Sequence, residues 1–200
     1  RANIAEIPKT GNSPSGWNPS TNGIVRTIAT YGYNVFAGGE FTTVNTTENK
    51  PYLAAFDKST GTVTTWAPIP NGIVRSLYVH NSALYVGGAF TNVGSTPVTR
   101  NRAAAYSLSD MSLTRFDPNL SNTVNAIAVN GATVYLCGSF VYASGGTLSR
   151  RCLTAVDTTT GADLYTSTSL PQTAPNALSF AGEKLAVGGG FASFDYTRNR

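Results

Sequence analysis

A single histidine, two cysteines and ten acidic residues are all that this 200-residue chain offers for acid–base, nucleophilic or metal chemistry. His80 stands alone in a turn and reads as an exposed turn residue. No serine lies in the G-x-S-x-G context of a nucleophile elbow, and no aspartate cluster has calcium-loop spacing. Cys137 and Cys152 flank the loop 141–149 symmetrically. If Phe140 faces Ser149 across a hairpin, Cys137 faces Cys152. Directly opposed residues approach to about 4.5 Å between Cα atoms, within disulfide range. A bridge implies an oxidising compartment; the alternative is two free buried thiols. Two sulfurs without a nearby histidine fall short of a zinc site.

Arg26 and Arg75 hold equivalent places in an internal repeat, followed there by Asn125 and Asn176. On an innermost strand, such side chains point into a central channel or onto its rim. Forked hydrogen bonds from them suit an anionic or polyhydroxylated ligand; the alternative is that they satisfy backbone carbonyls between repeats. A second row of cations, Lys50, Arg100, Arg102, Arg150, Arg151, Arg198 and Arg200, with Arg1 as a further member, precedes each third strand and reads as a solvated rim. Gly38-Gly39-Glu40-Phe41 spells a diguanylate cyclase signature. Glu40 becomes Ala89, Ser139 and Gly190 in the other repeats, so the spelling is structural. Asp57 and Asp157 read as turn formers. Asn45-Thr46-Thr47 and Asn119-Leu120-Ser121 are glycosylation sequons, meaningful only in a eukaryotic secretory pathway. No catalytic residue, metal ligand or cofactor is expected.

Composition sets the elements that must carry these residues. Thr, Ser and Asn make up nearly a third of the chain, while Lys, Glu, Gln and Met are scarce. That excludes a helical bundle. Nineteen of the aromatics are Tyr or Phe and only 12% of residues are charged, which argues against disorder. The net charge is +4, and no stripe of cations and aromatics marks a nucleic-acid groove. No apolar run is long enough to span a membrane as a helix.

The order comes from self-similarity. Trp17-Asn18-Pro19, Trp66-Ala67-Pro68 and Phe116-Asp117-Pro118 recur at a spacing of about fifty residues. So do Asn22-Gly23-Ile24-Val25-Arg26 and Asn71-Gly72-Ile73-Val74-Arg75. Gly38-Gly39-Glu40-Phe41 returns as Gly87-Gly88-Ala89-Phe90, Cys137-Gly138-Ser139-Phe140 and Gly188-Gly189-Gly190-Phe191. Each repeat reads as four short antiparallel strands, near 24–31, 34–41, 52–57 and 63–66 in the first. Asn130-Gly131 is a type I′ hairpin signal. The expected fold is all-β: a β-propeller of four-stranded blades. Residues 1–16 end a preceding repeat; 17–65, 66–115 and 116–165 are repeats; 166–200 are a partial one. Two arrangements fit: a four-bladed ring closed by residues 1–16, or an arc of a larger propeller or array. The arc is preferred.

These landmarks, together with Leu53-Ala54-Ala55-Phe56-Asp57 and its Thr60-Gly61, resemble the delta-60 type of β-propeller repeat over essentially the whole chain. The resemblance implies a large secreted or surface-attached, usually bacterial, protein. It implies no catalytic site. The expectation is a non-catalytic structural or interaction module, extracellular or at the cell surface. It would present loops 42–50, 91–99 and 141–149 to other domains, proteins or glycans of an extracellular assembly, with no nucleic acid among its partners. The alternative is a ligand-binding or enzymatic propeller with its site at the central channel.

Overall fold

The computed structural model describes residues 2–10, 15–146, 148–164 and 170–195. The first unit holds β1 (Val25–Tyr31), β2 (Asn34–Gly39), a ribbon of β3 (Thr43–Val44) and β4 (Glu48–Asn49), and β5 (Leu53–Asp57). The second holds β6 (Val74–His80), β7 (Ala83–Gly88), β8 (Asn92–Val93), β9 (Val98–Thr99) and β10 (Ala103–Ser107). The third holds β11 (Val124–Asn130), β12 (Thr133–Gly138), β13 (Tyr142–Ala143), β14 (Leu148–Ser149) and β15 (Leu153–Asp157). Then come β16 (Leu170–Pro171), β17 (Pro175–Ala181), β18 (Lys184–Gly189) and β19 (Phe194–Asp195). The chain is all-β, built of small antiparallel sheets in the orders β1-β2-β5, β6-β7-β10, β11-β12-β15 and β17-β18.

The strands form where β-branched and aromatic residues alternate with small ones. Two-residue turns join each first and second strand. Asn81 and Ser82 both take positive φ there, as a type I′ turn requires. The Asn130-Gly131 signal is displaced by one position. Asn130 still pairs with Thr133, so the turn is Gly131-Ala132, with Gly131 alone at positive φ. The fourth strand shrinks to one bridge per unit: Phe56–Val63, Tyr106–Leu113 and Val156–Asp163. Beyond it the chain leaves the sheet, and in the second unit Trp66 stacks edge-on against Phe36 and Tyr106 at centroid distances of 5.5 and 5.1 Å.

The core lies between units. Strand alternation puts Val35 and Ala37 in one cluster with Ile4, Trp17 and Phe56. Phe36 on the other face joins Leu53, Val74, Leu77 and Leu84 from the first and second units. The next cluster joins Tyr85 and Ala105 to Phe116, Val124 and Ile127. No sheet buries both of its faces alone, so each unit is stable because its neighbour covers it.

The glycine pair makes this packing possible in two ways. A Cβ at Gly38 would lie 2.5 Å from Val74 Cγ1, and one at Gly87 would lie 2.6 Å from Val124 Cγ1, both in the following unit. A Cβ at Gly39, Gly88 or Gly138 would overlap the carbonyl oxygen of Ile24, Ile73 or Thr123 in its own sheet. The first glycine is thus a seat for the next unit, and the second closes a bulge.

Candidate functional site

The register of each hairpin slips at one residue: between Val25 and Thr27, Val74 and Ser76, Val124 and Ala126, and Pro175 and Ala177. The skipped residues are Arg26, Arg75, Asn125 and Asn176. A bulge re-aims the side chain it carries, so the four repeat-equivalent residues leave the regular pleat together. Their strands stack in sequence, β1 on β6, β6 on β11 and β11 on β17. The joints are hydrogen-bonded: Thr27 Oγ1 accepts from the Leu77 N–H at 3.1 Å, and Ser76 Oγ from the Ile127 N–H at 3.0 Å.

The four side chains meet different fates. Arg26 donates from Nε to Glu40 Oε1 at 2.6 Å and pairs with it again through Nη2. Glu40, the acid of the cyclase-like spelling, therefore neutralises a neighbouring arginine. Asn125 Nδ2 donates to the Pro175 carbonyl and to Asn176 Oδ1, each at 3.1 Å, joining two units. Arg75 is exposed, and the residue in the place of Glu40 beside it is Ala89.

The basic row departs from its expectation as a solvated rim. Lys50 is buried and donates from Nζ to the Trp66 carbonyl at 2.7 Å. Arg100 Nη2 donates to the Thr114 carbonyl at 2.9 Å, and Arg150 clasps Asp163 Oδ2 from Nε and Nη2 at 2.8 and 2.6 Å. Arg102 Nη1 donates to the Ala89 carbonyl. The heads of Lys50, Arg100 and Arg150 thus hold the departing outer segment of each unit, and that of Arg102 the residue after β7. Arg151 is exposed. Arg1, Arg198 and Arg200 lie outside the described residues.

The cysteine geometry also differs from expectation. Cys137 pairs with Leu153, and Tyr142, in place of Phe140, pairs with Ser149. Cys152 takes φ 64°, donates its N–H to the Phe140 carbonyl at 2.8 Å and accepts from the Gly138 N–H at 3.0 Å. The chain kinks there before β15 begins, so the two cysteines sit one position out of register and are not directly opposed. Both are buried and free in this structure. Burial pushes the Cys137 thiol up to about 12, and it raises Cys152 as well. Alkylation of denatured, unreduced protein is expected to label two thiols, read by mass. Native protein is expected to label slowly, because thiolate is the reactive form. A chain that takes no label until it is reduced would refute the free-thiol geometry.

His80 ends β6, is half-buried, and lies 3.2 Å through Nε2 from the Gly131 carbonyl of the next unit. It is thus a strand residue in the place of Tyr31, where the sequence suggested an exposed turn residue. With Tyr85, Arg115 and Thr158 it lines an open cleft of about 490 Å³ between the second and third units. Tyr85 Oη donates to the Thr158 carbonyl at 3.2 Å, and burial and nearby Asp157 hold the phenol above its ordinary pKa. Sequence reasoning missed this cleft because its lining comes from four separated segments. The turn aspartates behave as expected. Asp57 Oδ1 accepts from the N–H groups of Thr60 and Ser59 at 2.7 and 2.9 Å, and Asp157 repeats the pattern. These bonds lower both carboxyl pKa values.

The variable loops are exposed over part of their length. Residues 46–49 and 95–99 are exposed in turn, as are Val141 and Tyr142. Each ribbon hangs from one side chain of the preceding unit boundary. Asn22 Oδ1 accepts from the N–H groups of Thr42 and Thr43 at 2.8 and 2.9 Å; Asn71 does the same for Thr91 and Asn92 at 2.7 and 3.0 Å. Ser121 Oγ takes that role for Val141 and Tyr142 at 3.0 and 3.1 Å. The recurring Asn-Gly pair was the sequence signal for this clamp. Asn119 of the second sequon accepts through Oδ1 from Asn101 Nδ2 at 2.7 Å.

Among the described residues no group of His, Cys, Asp and Glu is placed to hold a metal ion. No helix of the described chain is long and apolar enough to cross a membrane. No family model matches the sequence, and no curated protein matches it. Solved structures do. The computationally designed Ika4 protein is similar at a TM-score of 0.56 and 13% identity, over 88% of this chain and 92% of that one. The computationally designed Ika8 protein is similar at 0.54 and 15%, over 82% of this chain and 42% of that one. At such identities the likeness concerns the fold alone.

Proposed function

We propose that the chain is an arc of a β-propeller of the delta-60 type. In this reading it serves as a non-catalytic structural or interaction module of a larger secreted or cell-surface protein. The observation that carries the proposal is the contrast between strands and ribbons. The packing residues recur unit after unit, while 42–50, 91–99 and 141–149 differ in sequence and hang outward from equivalent clamps. Recognition concentrates in loops held by a rigid scaffold. Several of the charged groups that recur are engaged within the chain, as with Arg26, Lys50 and Arg150.

A ligand-binding reading draws on Arg75, which is exposed on its bulge. A glycan array separates the two. The module reading expects no glycan to bind in an arginine-dependent way. Specific binding that disappears in Arg26→Ala and Arg75→Ala would replace it with a ligand site at the channel. Antibody labelling of intact source cells tests location; labelling only after lysis would contradict a surface role.

A further inference from the structure

The chain carries three Asn-Gly pairs: Asn22-Gly23, Asn71-Gly72 and Asn130-Gly131. Asparagine is thermolabile, because the backbone nitrogen of the next residue can attack its side-chain amide carbon. A following glycine leaves that nitrogen unshielded by any Cβ. The fold treats the three pairs differently. In the first two the amide is occupied. Asn22 Oδ1 accepts from the N–H groups of Thr42 and Thr43, and its Nδ2 donates to Thr42 Oγ1 at 2.9 Å. Asn71 repeats all three bonds, with Nδ2 donating to Thr91 Oγ1 at 2.9 Å. The glycines that follow are packed. A Cβ at Gly23 would lie 2.9 Å from Phe41 Cα, and one at Gly72 would lie 3.2 Å from Phe90 Cα.

Asn130-Gly131 lacks both the clamp and the packing. Asn130 ends β11 at the exposed tip of its hairpin. Among the described residues its side chain makes no hydrogen bond, and the Gly131 N–H meets no acceptor. Gly131 is exposed at φ 56°, and a Cβ there would meet nothing within 4 Å. Only the last pair of the ladder, Asn130 with Thr133, has to open for the nitrogen to reach the amide carbon. Such peripheral openings cost little compared with global unfolding.

We propose that Asn130 is a self-modification site, deamidated in the folded chain with water as the co-reactant. The Gly131 nitrogen loses its proton and attacks Asn130 Cγ. The new N–Cγ bond closes a five-membered succinimide, the Cγ–Nδ2 bond breaks, and the nitrogen leaves as ammonia with the proton. Water then opens the imide. Cleavage at Cγ leaves aspartate at position 130; cleavage at the main-chain carbonyl leaves isoaspartate. Either product carries a new carboxylate, which lowers the formal net charge of +4 by one. Isoaspartate also inserts a methylene into the main chain just before Gly131, whose carbonyl lies 3.2 Å from His80 Nε2 across the joint of the second and third units. That contact is expected to be lost in the isoaspartate form. The three side-chain bonds at Asn22 and Asn71 must break before attack, which slows those sites by roughly a hundredfold.

The test is to age the folded 200-residue chain in warm, mildly alkaline buffer and follow it by isoelectric focusing and peptide mapping. Trypsin places the three pairs in separate peptides, 10–26, 59–75 and 116–150. An acidic species should accumulate, with the amide-to-acid mass change at Asn130 at least about tenfold faster than at Asn22 or Asn71. In urea the clamps are gone, and the three sites should react at comparable rates. Asn130→Gln should remove the acidic species, because its longer side chain closes a six-membered ring far more slowly. His80 is the only histidine, so a second set of imidazole signals in the proton NMR spectrum should grow in step with isoaspartate. Asn22 or Asn71 reacting as fast as Asn130 in the folded chain would overturn the proposal. So would an Asn130 that stays intact until urea is added, or an acidic species that persists in Asn130→Gln.

Discussion

Gly88→Ala is expected to lower the melting temperature by roughly 6–12 °C, or to prevent folding altogether. The added methyl would overlap the Ile73 carbonyl oxygen. That oxygen cannot retreat, because it accepts from the Ala89 N–H at 2.8 Å and so closes the bulge. The glycine's own N–H donates to the Arg102 carbonyl at 2.9 Å, which pins the other side of the strand. Relief therefore breaks a hydrogen bond on one edge or the other. The result is a buried unsatisfied group on top of the steric cost, together about 3 kcal/mol or more. Gly190→Ala is the control: a Cβ there meets nothing within 4 Å, so its expected shift is near zero. Thermal denaturation followed by circular dichroism reads both. Equal effects of the two substitutions would show that the bulge is not closed as described.

Phe36→Ala is expected to cost about 3–5 kcal/mol. Phe36 is fully buried at the joint of the first and second units, in one cluster with Leu77 and Leu84. Its ring also meets the edge of Trp66 at 5.5 Å. Removing it opens a cavity between two sheets that have no other means of burying those faces. The chain has two tryptophans, which makes the effect local and visible. Trp66 emission should shift to the red in the folded variant, while Trp17, stacked on Phe56 at 6.4 Å, should not change. Substituting each tryptophan by Phe assigns the signals. A loss below about 1 kcal/mol would mean that the units do not depend on one another as inter-unit cores require.

What could be read without coordinates is what local chemistry specifies. The strands of each unit follow from β-branched and aromatic residues recurring at one spacing. The turns at Asp57 and Asp157 follow from a carboxylate that reaches its own backbone and a glycine that accepts positive φ. The paired glycines announce close contact because nothing else explains losing two side chains in a strand. The site was legible only in part. The repeat identified Arg26, Arg75, Asn125 and Asn176 as equivalent, and the structure places all of them on bulges. Which of them is free of a charged neighbour depended on Glu40, whose counterparts carry no charge.

Register and reach belonged to the tertiary structure. The offset between Cys137 and Cys152 comes from a left-handed residue at the mouth of a third strand, a conformation that glycine would have advertised and Cys152 hides. The cations before each third strand looked like a solvated rim by their charge. Their heads bond carbonyls and a carboxylate across the unit because that chain segment passes within reach. The physical reason is one of range. Turn and strand preferences act between near neighbours in the chain, so residue types record them. The Lys50 head is placed by the Trp66 carbonyl, the Cys137 register by Leu153 and the Gly38 seat by Val74, none of them a near neighbour in the chain, and only the folded positions of those atoms settle it.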